Sequence, residues 1–205
     1  MVRILVGQCQ SKEKSNRLTA INWLSEFIEL GGVKLINFYA DILESIMYCI
    51  SDSEADIRTA TKTANQRHLS LVRNTTQAFD LKPLLNILTV DLMSEFVGTR
   101  VTCLQWINML HEKDAKEINK SIGDLLPALL KAISDPADEV VLHNLQVLAR
   151  ICLDELQFQR VLLAIVQLFM EDRSLLETRG ALVVRKLSAL LNPRDIFTSL
   201  ANILL

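Results

Sequence analysis

The chain has 205 residues, 50% of them hydrophobic, with only 6 Gly and 4 Pro, which leaves ample material for a core and too little punctuation for an all-β fold. A formal charge of −2, from 22 Lys+Arg against 24 Asp+Glu, supplies no global attraction to nucleic acid or anionic lipid. The longest apolar runs, such as 161–170, are broken by polar residues and fall short of the roughly 20 needed to cross a bilayer, so a soluble chain is expected.

In chain order, the opening Met1-Val2-Arg3-Ile4-Leu5-Val6-Gly7 has the apolar look of a signal peptide, but Gln8 and Gln10 interrupt it and charges follow instead of a cleavage site. It reads as a helix. Apolar residues then recur at helical spacing, as in Ile21, Leu24 and Ile28, Leu104, Ile107 and Leu110, or Leu145, Leu148 and Cys152. First helices are expected at 2–10, 35–50, 81–92, 118–133 and 156–170, and second helices at 17–30, 58–72, 100–111, 141–153 and 179–191. A sixth first helix runs from Asp195 to Leu205.

Arg17, Arg58, Arg100, Val141 and Arg179 each stand in the expected first turn of a second helix, at offsets of 41, 42, 41 and 38 residues. Self-similarity at this period marks a stack of two-helix repeats. The expected fold is therefore all-α, a single solenoid over 1–205, with repeats near 1–34, 35–78, 79–117, 118–154 and 155–194 and a partial one at 195–205. Its turns repeat a chemistry too, as in Ile50-Ser51-Asp52-Ser53-Glu54 and Ile133-Ser134-Asp135-Pro136-Ala137, with Thr99, Ser15 and Glu177 assigned comparable places. Each repeated arginine is expected to reach an acidic turn of the adjacent repeat as an exposed ladder that fixes register, while apolar stacking sets stability. Pro83, Pro136 and Pro193 suit helix starts or turns, whereas Pro127 is expected to bend 118–133. Both ends read as unfinished, with Phe197, Leu200, Ile203, Leu204 and Leu205 left without a neighbour, as in a fragment of a longer solenoid.

Nothing in the chain amounts to a catalytic site. Cys9, Cys49, Cys103 and Cys152 lie about one repeat apart with no C-x-x-C pair and are expected to be reduced, partly buried thiols. His68, His111 and His143 fall in different phases with no repeated metal-ligand offset, so neither metal nor cofactor is expected. Acid pairs Asp138/Glu139 and Glu171/Asp172 lie where helix capping explains them, and Asn74-Thr75-Thr76 reads as a polar loop rather than a glycosylation site. Trp23 and Trp106, each six residues after a repeated arginine, are expected to pack. One stretch departs from the pattern: the second helix of the second repeat is polar where its counterparts are apolar, with Lys62 and Asn65 in the places of Leu104 and Ile107. Arg58, Lys62 and Gln66 share a stripe that Arg73 extends, with Arg67 nearby. The alternatives are a solvated helix packing through Ala60, Ala64 and Leu71, a partner-facing or anionic-surface patch, or a misaligned repeat.

Several segments carry a more specific signal: Leu18-Thr19-Ala20-Ile21-Asn22-Trp23-Leu24-Ser25-Glu26-Phe27, Tyr39-Ala40-Asp41-Ile42-Leu43, Leu129-Leu130-Lys131-Ala132-Ile133-Ser134-Asp135-Pro136 and Ser174-Leu175-Leu176-Glu177-Thr178-Arg179-Gly180. In collinear order over nearly the whole chain, they resemble the central repeats of the vacuolar-morphology HEAT-repeat scaffold family, the ArPIKfyve family of the PIKfyve lipid-kinase complex. The resemblance implies a HEAT-repeat α-solenoid, a right-handed superhelix of antiparallel helix pairs. It also implies a non-catalytic scaffold, without cofactors, that assembles a phosphatidylinositol 3-phosphate 5-kinase with a Sac-type phosphoinositide phosphatase. Such a scaffold regulates phosphatidylinositol 3,5-bisphosphate from the cytoplasmic side of endosomal or vacuolar membranes, held there through its partners. The family's self-assembly and phosphatase contacts lie in a C-terminal region that this chain is expected to lack. Competing readings are another HEAT or armadillo module, such as a transport receptor or phosphatase scaffold, and an all-helical enzyme working on Asp138 and Glu139.

Overall fold

The computed structural model describes residues 1–204; it is 84% helical, and no strand occurs among the described residues. Among the described residues, twelve α-helices follow one another: α1 (Val2–Cys9), α2 (Lys14–Gly31), α3 (Tyr39–Cys49), α4 (Ala55–Asn74), α5 (Lys82–Asp91), α6 (Val97–Lys113), α7 (Ala115–Lys120), α8 (Ile122–Lys131), α9 (Asp138–Ile151), α10 (Glu155–Glu171), α11 (Arg173–Leu190) and α12 (Pro193–Leu204). Short 3-10 stretches, Gly32–Phe38 and Ala132–Ser134, lead into α3 and out of α8. The chain forms two compact bodies, Met1–Met109 and a second beginning at Leu110, with the division inside α6.

Each body stacks helices in two rows. In the first, α1, α3 and α5 lie side by side, and α2 packs along α4. In the second, α8, α10 and α12 form one row, and α9 packs along α11. The rows bury the apolar stripes read from the sequence: Ile21, Leu24 and Ile28 of α2 and Ile42, Leu43 and Ile46 of α3 in the first body, and Val141, Leu145 and Leu148 of α9 and Val161 and Leu162 of α10 in the second. A fully buried aliphatic side chain contributes about 1.5–3 kcal/mol, so these seams dominate stability.

The repeat frame has a physical basis in the turns. Ser11, Asp52, Ser94 and Asp135 each accept, through the side-chain oxygen, the N–H of the residue two places on, at 3.2, 2.9, 3.3 and 2.9 Å. Six residues after the first three stands the repeated arginine, whose Nη1 donates to the carbonyls of that turn residue and the next. Arg17 bonds Ser11 and Lys12, both at 3.0 Å, Arg58 bonds Asp52 and Ser53 at 2.7 and 2.8 Å, and Arg100 bonds Ser94 and Glu95 at 2.8 and 2.9 Å. These bonds satisfy turn carbonyls that lie outside both flanking helices.

The expected ladder between repeats has no single direction. Arg17 extends forward to Asp52, Nε–Oδ2 2.8 Å and Nη2–Oδ1 3.1 Å, and the pair is largely covered rather than exposed. Burial alone pushes the Asp52 carboxyl up, but the Arg17 hydrogen bond and the Glu54 N–H outweigh it and hold the group below its ordinary range. Arg179 reaches backward instead, pairing with Asp138 and donating to the Asp135 carbonyl at 3.3 Å.

Further departures from the sequence reading have local causes. Asp172 caps α11 through the Leu175 N–H at 2.9 Å, so that helix starts at Arg173 and Arg179 sits two turns inside it. The carbonyls five and six residues before Arg179 are then helical and already engaged, which removes its turn contact. Thr99, Ser15 and Glu177 lie inside helices, and Asp52 and Asp135 carry the turn chemistry. The expected helix 118–133 is divided at Ser121, with Asp114 capping α7 and Pro127 lying within α8, so the break precedes the proline instead of falling on it. Where helix 35–50 was expected, Gly32 ends α2 at φ +50°, a conformation that favours glycine, and regular α-helix resumes only at Tyr39. On α12, Ile196 is buried, Phe197 exposed, and Leu200 and Ile203 half-buried. Leu205 and the side chain of Leu204 lie outside the described residues.

Candidate interaction surface

The polar helix α4 buries Ile57, Thr61, Ala64, Asn65, His68 and Val72, a face with helical spacing, while Ala60 and Leu71 are half-buried. Lys62 and Gln66 are exposed on one stripe. Arg58 is half-buried and committed to its turn, and Arg73 is exposed in the last turn of α4. Arg67, beside the stripe, crosses to α2, where it meets Glu26 at 2.7 Å, Glu29 at 2.6 Å and the Ser25 hydroxyl at 3.0 Å. The Glu26 hydrogen bond leads the effects that raise the Arg67 guanidinium above its ordinary value. Glu26 and Arg67 stand 41 residues apart, so a search for opposite charges one period apart finds this pair in the sequence. Arg67→Glu is expected to lower the melting temperature by setting a third carboxylate against Glu26 and Glu29, with the loss shrinking at high salt. Lys62→Glu should leave the melt unchanged, and thermal melts of both variants at two salt concentrations check the contrast.

A groove of about 420 Å³ opens between α2 and α4, lined by residues that include Asn22, Trp23, Glu26, Thr63 and Arg67. Trp23, expected to pack, is 57% exposed, its ring 6.3 Å from that of Phe27. Trp106, at the same place in the frame, is fully buried and donates from Nε1 to Asn65 Oδ1 at 2.7 Å. Trp106 lies against α4, the second helix of the repeat before it; the corresponding flank of α2 faces solvent. Asn65 in the frame position of Ile107 was the sequence signal for a polar group turned to the core.

The histidines and cysteines lie in or against the core. His68 is fully buried, with Nε2 2.9 Å from the Tyr39 carbonyl and its ring 5.4 Å from Tyr39 and 5.2 Å from Trp106. Burial pushes it down to about 4. His111 is pushed down by burial against an opposing hydrogen bond from its Nε2 to Asn119 Oδ1, and His143 is half-buried in α9. All four cysteines are buried free thiols, and burial pushes Cys152 up to about 12. Among the described residues, no group of three or more His, Cys, Asp or Glu is placed to hold a metal ion, and no helix is long and apolar enough to cross a membrane. Asp138 and Glu139 open α9 and Asp172 caps α11, so both acid pairs have helix-end roles.

No protein-family model matches the chain. The designed armadillo repeat protein YIII(Dq)4CqI superposes with a TM-score of 0.54 at 16% identity, covering 99% of this chain and 88% of that one, in keeping with the all-α solenoid fold. The curated "Protein VAC14 homolog" of Arabidopsis thaliana is 40% identical over 204 residues, all of this chain and 28% of its own length. "Vacuole morphology and inheritance protein 14" of Saccharomyces cerevisiae is 24% identical over 211 aligned positions, all of this chain and 24% of its own length. The chain thus spans about a quarter of the curated relatives it matches. The resemblance carried by the quoted segments is borne out: from end to end the chain is homologous to a stretch of the Vac14 proteins.

Proposed function

We propose that this chain is part of a non-catalytic scaffold that holds a phosphatidylinositol 3-phosphate 5-kinase and a Sac-type phosphoinositide phosphatase together. In this reading it regulates phosphatidylinositol 3,5-bisphosphate on endosomal or vacuolar membranes, to which its partners recruit it. The observation that carries the proposal is the end-to-end match to a protein named for vacuole morphology and inheritance and to its 40%-identical plant counterpart. A scaffold raises the effective concentration of the enzymes it binds and needs no reactive group of its own. Stacked helix rows suit that task, because side chains from successive repeats line one extended surface.

Co-purification of the chain with the kinase alone and with the phosphatase alone tests the reading. Recovery of the kinase is the expected result. Recovery of neither enzyme by the folded chain, or preferential recovery of nuclear-transport or phosphatase-core proteins, overturns it.

A further inference from the structure

A cleft of about 530 Å³ opens in the first body where α3 meets the segment joining α5 to α6. Two aromatic side chains stand at it in water: Tyr48, 55% exposed, and Phe96, 50% exposed. Asp91, half-buried at the end of α5, lines the same cleft, and Glu44 lies one turn before Tyr48 on the exposed side of α3. Among the described residues, neither carboxylate has an ion pair or a side-chain hydrogen bond. Burial, with the charge of Glu44 adding to it, pushes the Asp91 carboxyl up, as expected for an acid held without a counter-cation. Of the cations lining the cleft, Arg17 is engaged by Asp52, which leaves Lys12 against Asp91 and Glu44.

Rings exposed beside uncompensated carboxylates call for a particular partner chemistry. A guanidinium is planar and weakly hydrated, stacks on aromatic faces, and presents paired N–H groups to a carboxylate; a lysine ammonium is compact and strongly hydrated. An acidic peptide or anionic headgroup would meet repulsion from Asp91 and Glu44. We infer that this cleft is a docking site for an arginine side chain presented by a partner protein, stacked against Tyr48 and Phe96 and neutralised by Asp91 and Glu44. The inference does not rest on the scaffold's enzymatic partners, since any arginine-bearing segment of matching shape satisfies it.

The full chain, labelled with nitrogen-15, is titrated with the peptide acetyl-Gly-Ser-Arg-Ser-Gly-amide and with the same peptide carrying citrulline, which keeps the shape and removes the charge. The expected result is amide shifts centred on Tyr48, Asp91, Ser94 and Phe96, with the arginine peptide binding at least about 5-fold more tightly than the citrulline one. Asp91→Asn and Phe96→Ala should each weaken it by a similar factor in a chain that stays folded: the first removes a half-buried carboxylate whose charge burial disfavours, so the melting temperature should not fall, and the second trims a ring that is half exposed. Equal binding of the citrulline peptide, shifts centred elsewhere, no shift at millimolar peptide, or full affinity in both variants would each overturn the assignment.

Discussion

Trp106→Ala is expected to cost about 3–5 kcal/mol of folding stability, the range for deleting a large buried aromatic side chain. The indole is fully buried, its ring 5.2 Å from that of His68, and its N–H is held by Asn65 at 2.7 Å. Alanine leaves a cavity and an orphaned Asn65 carbonyl together. Trp106→Phe separates the two effects: much of the volume stays, while the unsatisfied amide oxygen costs about 1–3 kcal/mol. Adding Asn65→Leu to Trp106→Phe should recover part of that loss, because both ends of the hydrogen bond then become apolar. Urea denaturation of the variants measures each step. Trp23→Ala, at an exposed site, serves as the internal contrast and should fall within about 0.5 kcal/mol of the parent. Equal costs at the two tryptophans would refute the packing described for α4 and α6.

Acidification should remove about 3 kcal/mol of stability between pH 6.5 and pH 4 through His68 alone. Its ordinary value is 6.5 and burial lowers it to about 4 in the folded chain, so within that window the unfolded chain binds the proton and the folded chain does not. Stability is therefore fully present above pH 6.5, falls as pH drops, and levels off below the folded value. Asp52, held below its ordinary range, adds a loss of the same sign at lower pH, whereas Asp91, held above its range, gains relative stability on protonation. His68→Phe should make the dependence between pH 6.5 and 4 shallower, since no proton remains to be taken up at that position, and leave the contribution of His111, which burial also lowers. Denaturation midpoints measured along a pH series give the slope, and an unchanged slope in the variant would assign the acid sensitivity elsewhere.

Most of the architecture was legible because the repeat is written in two kinds of residue at once. Asp52 and Asp135 punctuate the helices, and aliphatic residues at helical spacing fill the seams between them, although Ser11 and Ser94 take the turn places that the sequence assigned to Ser15 and Thr99. What was not legible depends on neighbours that a single repeat does not reveal. Trp23 and Trp106 have the same local context, and only the helix lying beside each decides which is buried. The start of α11 turned on Asp172, a single capping residue within a strongly helical run, which moved Arg179 out of its expected role. Arg67 reads as part of a partner-facing patch until α2 brings Glu26 and Glu29 to it. Tyr48, Asp91 and Phe96 share a cleft only because α3 and the end of α5 are adjacent, and they recur at no period.

The bonds from Arg17, Arg58 and Arg100 to carbonyls five and six residues earlier end within the hairpin that supplies the arginine. Copying such a hairpin copies its closure with it. An array built this way can lengthen by tandem gene duplication without inventing a fresh clasp at every joint. Later substitutions are then free to differentiate the outer faces, one copy at a time.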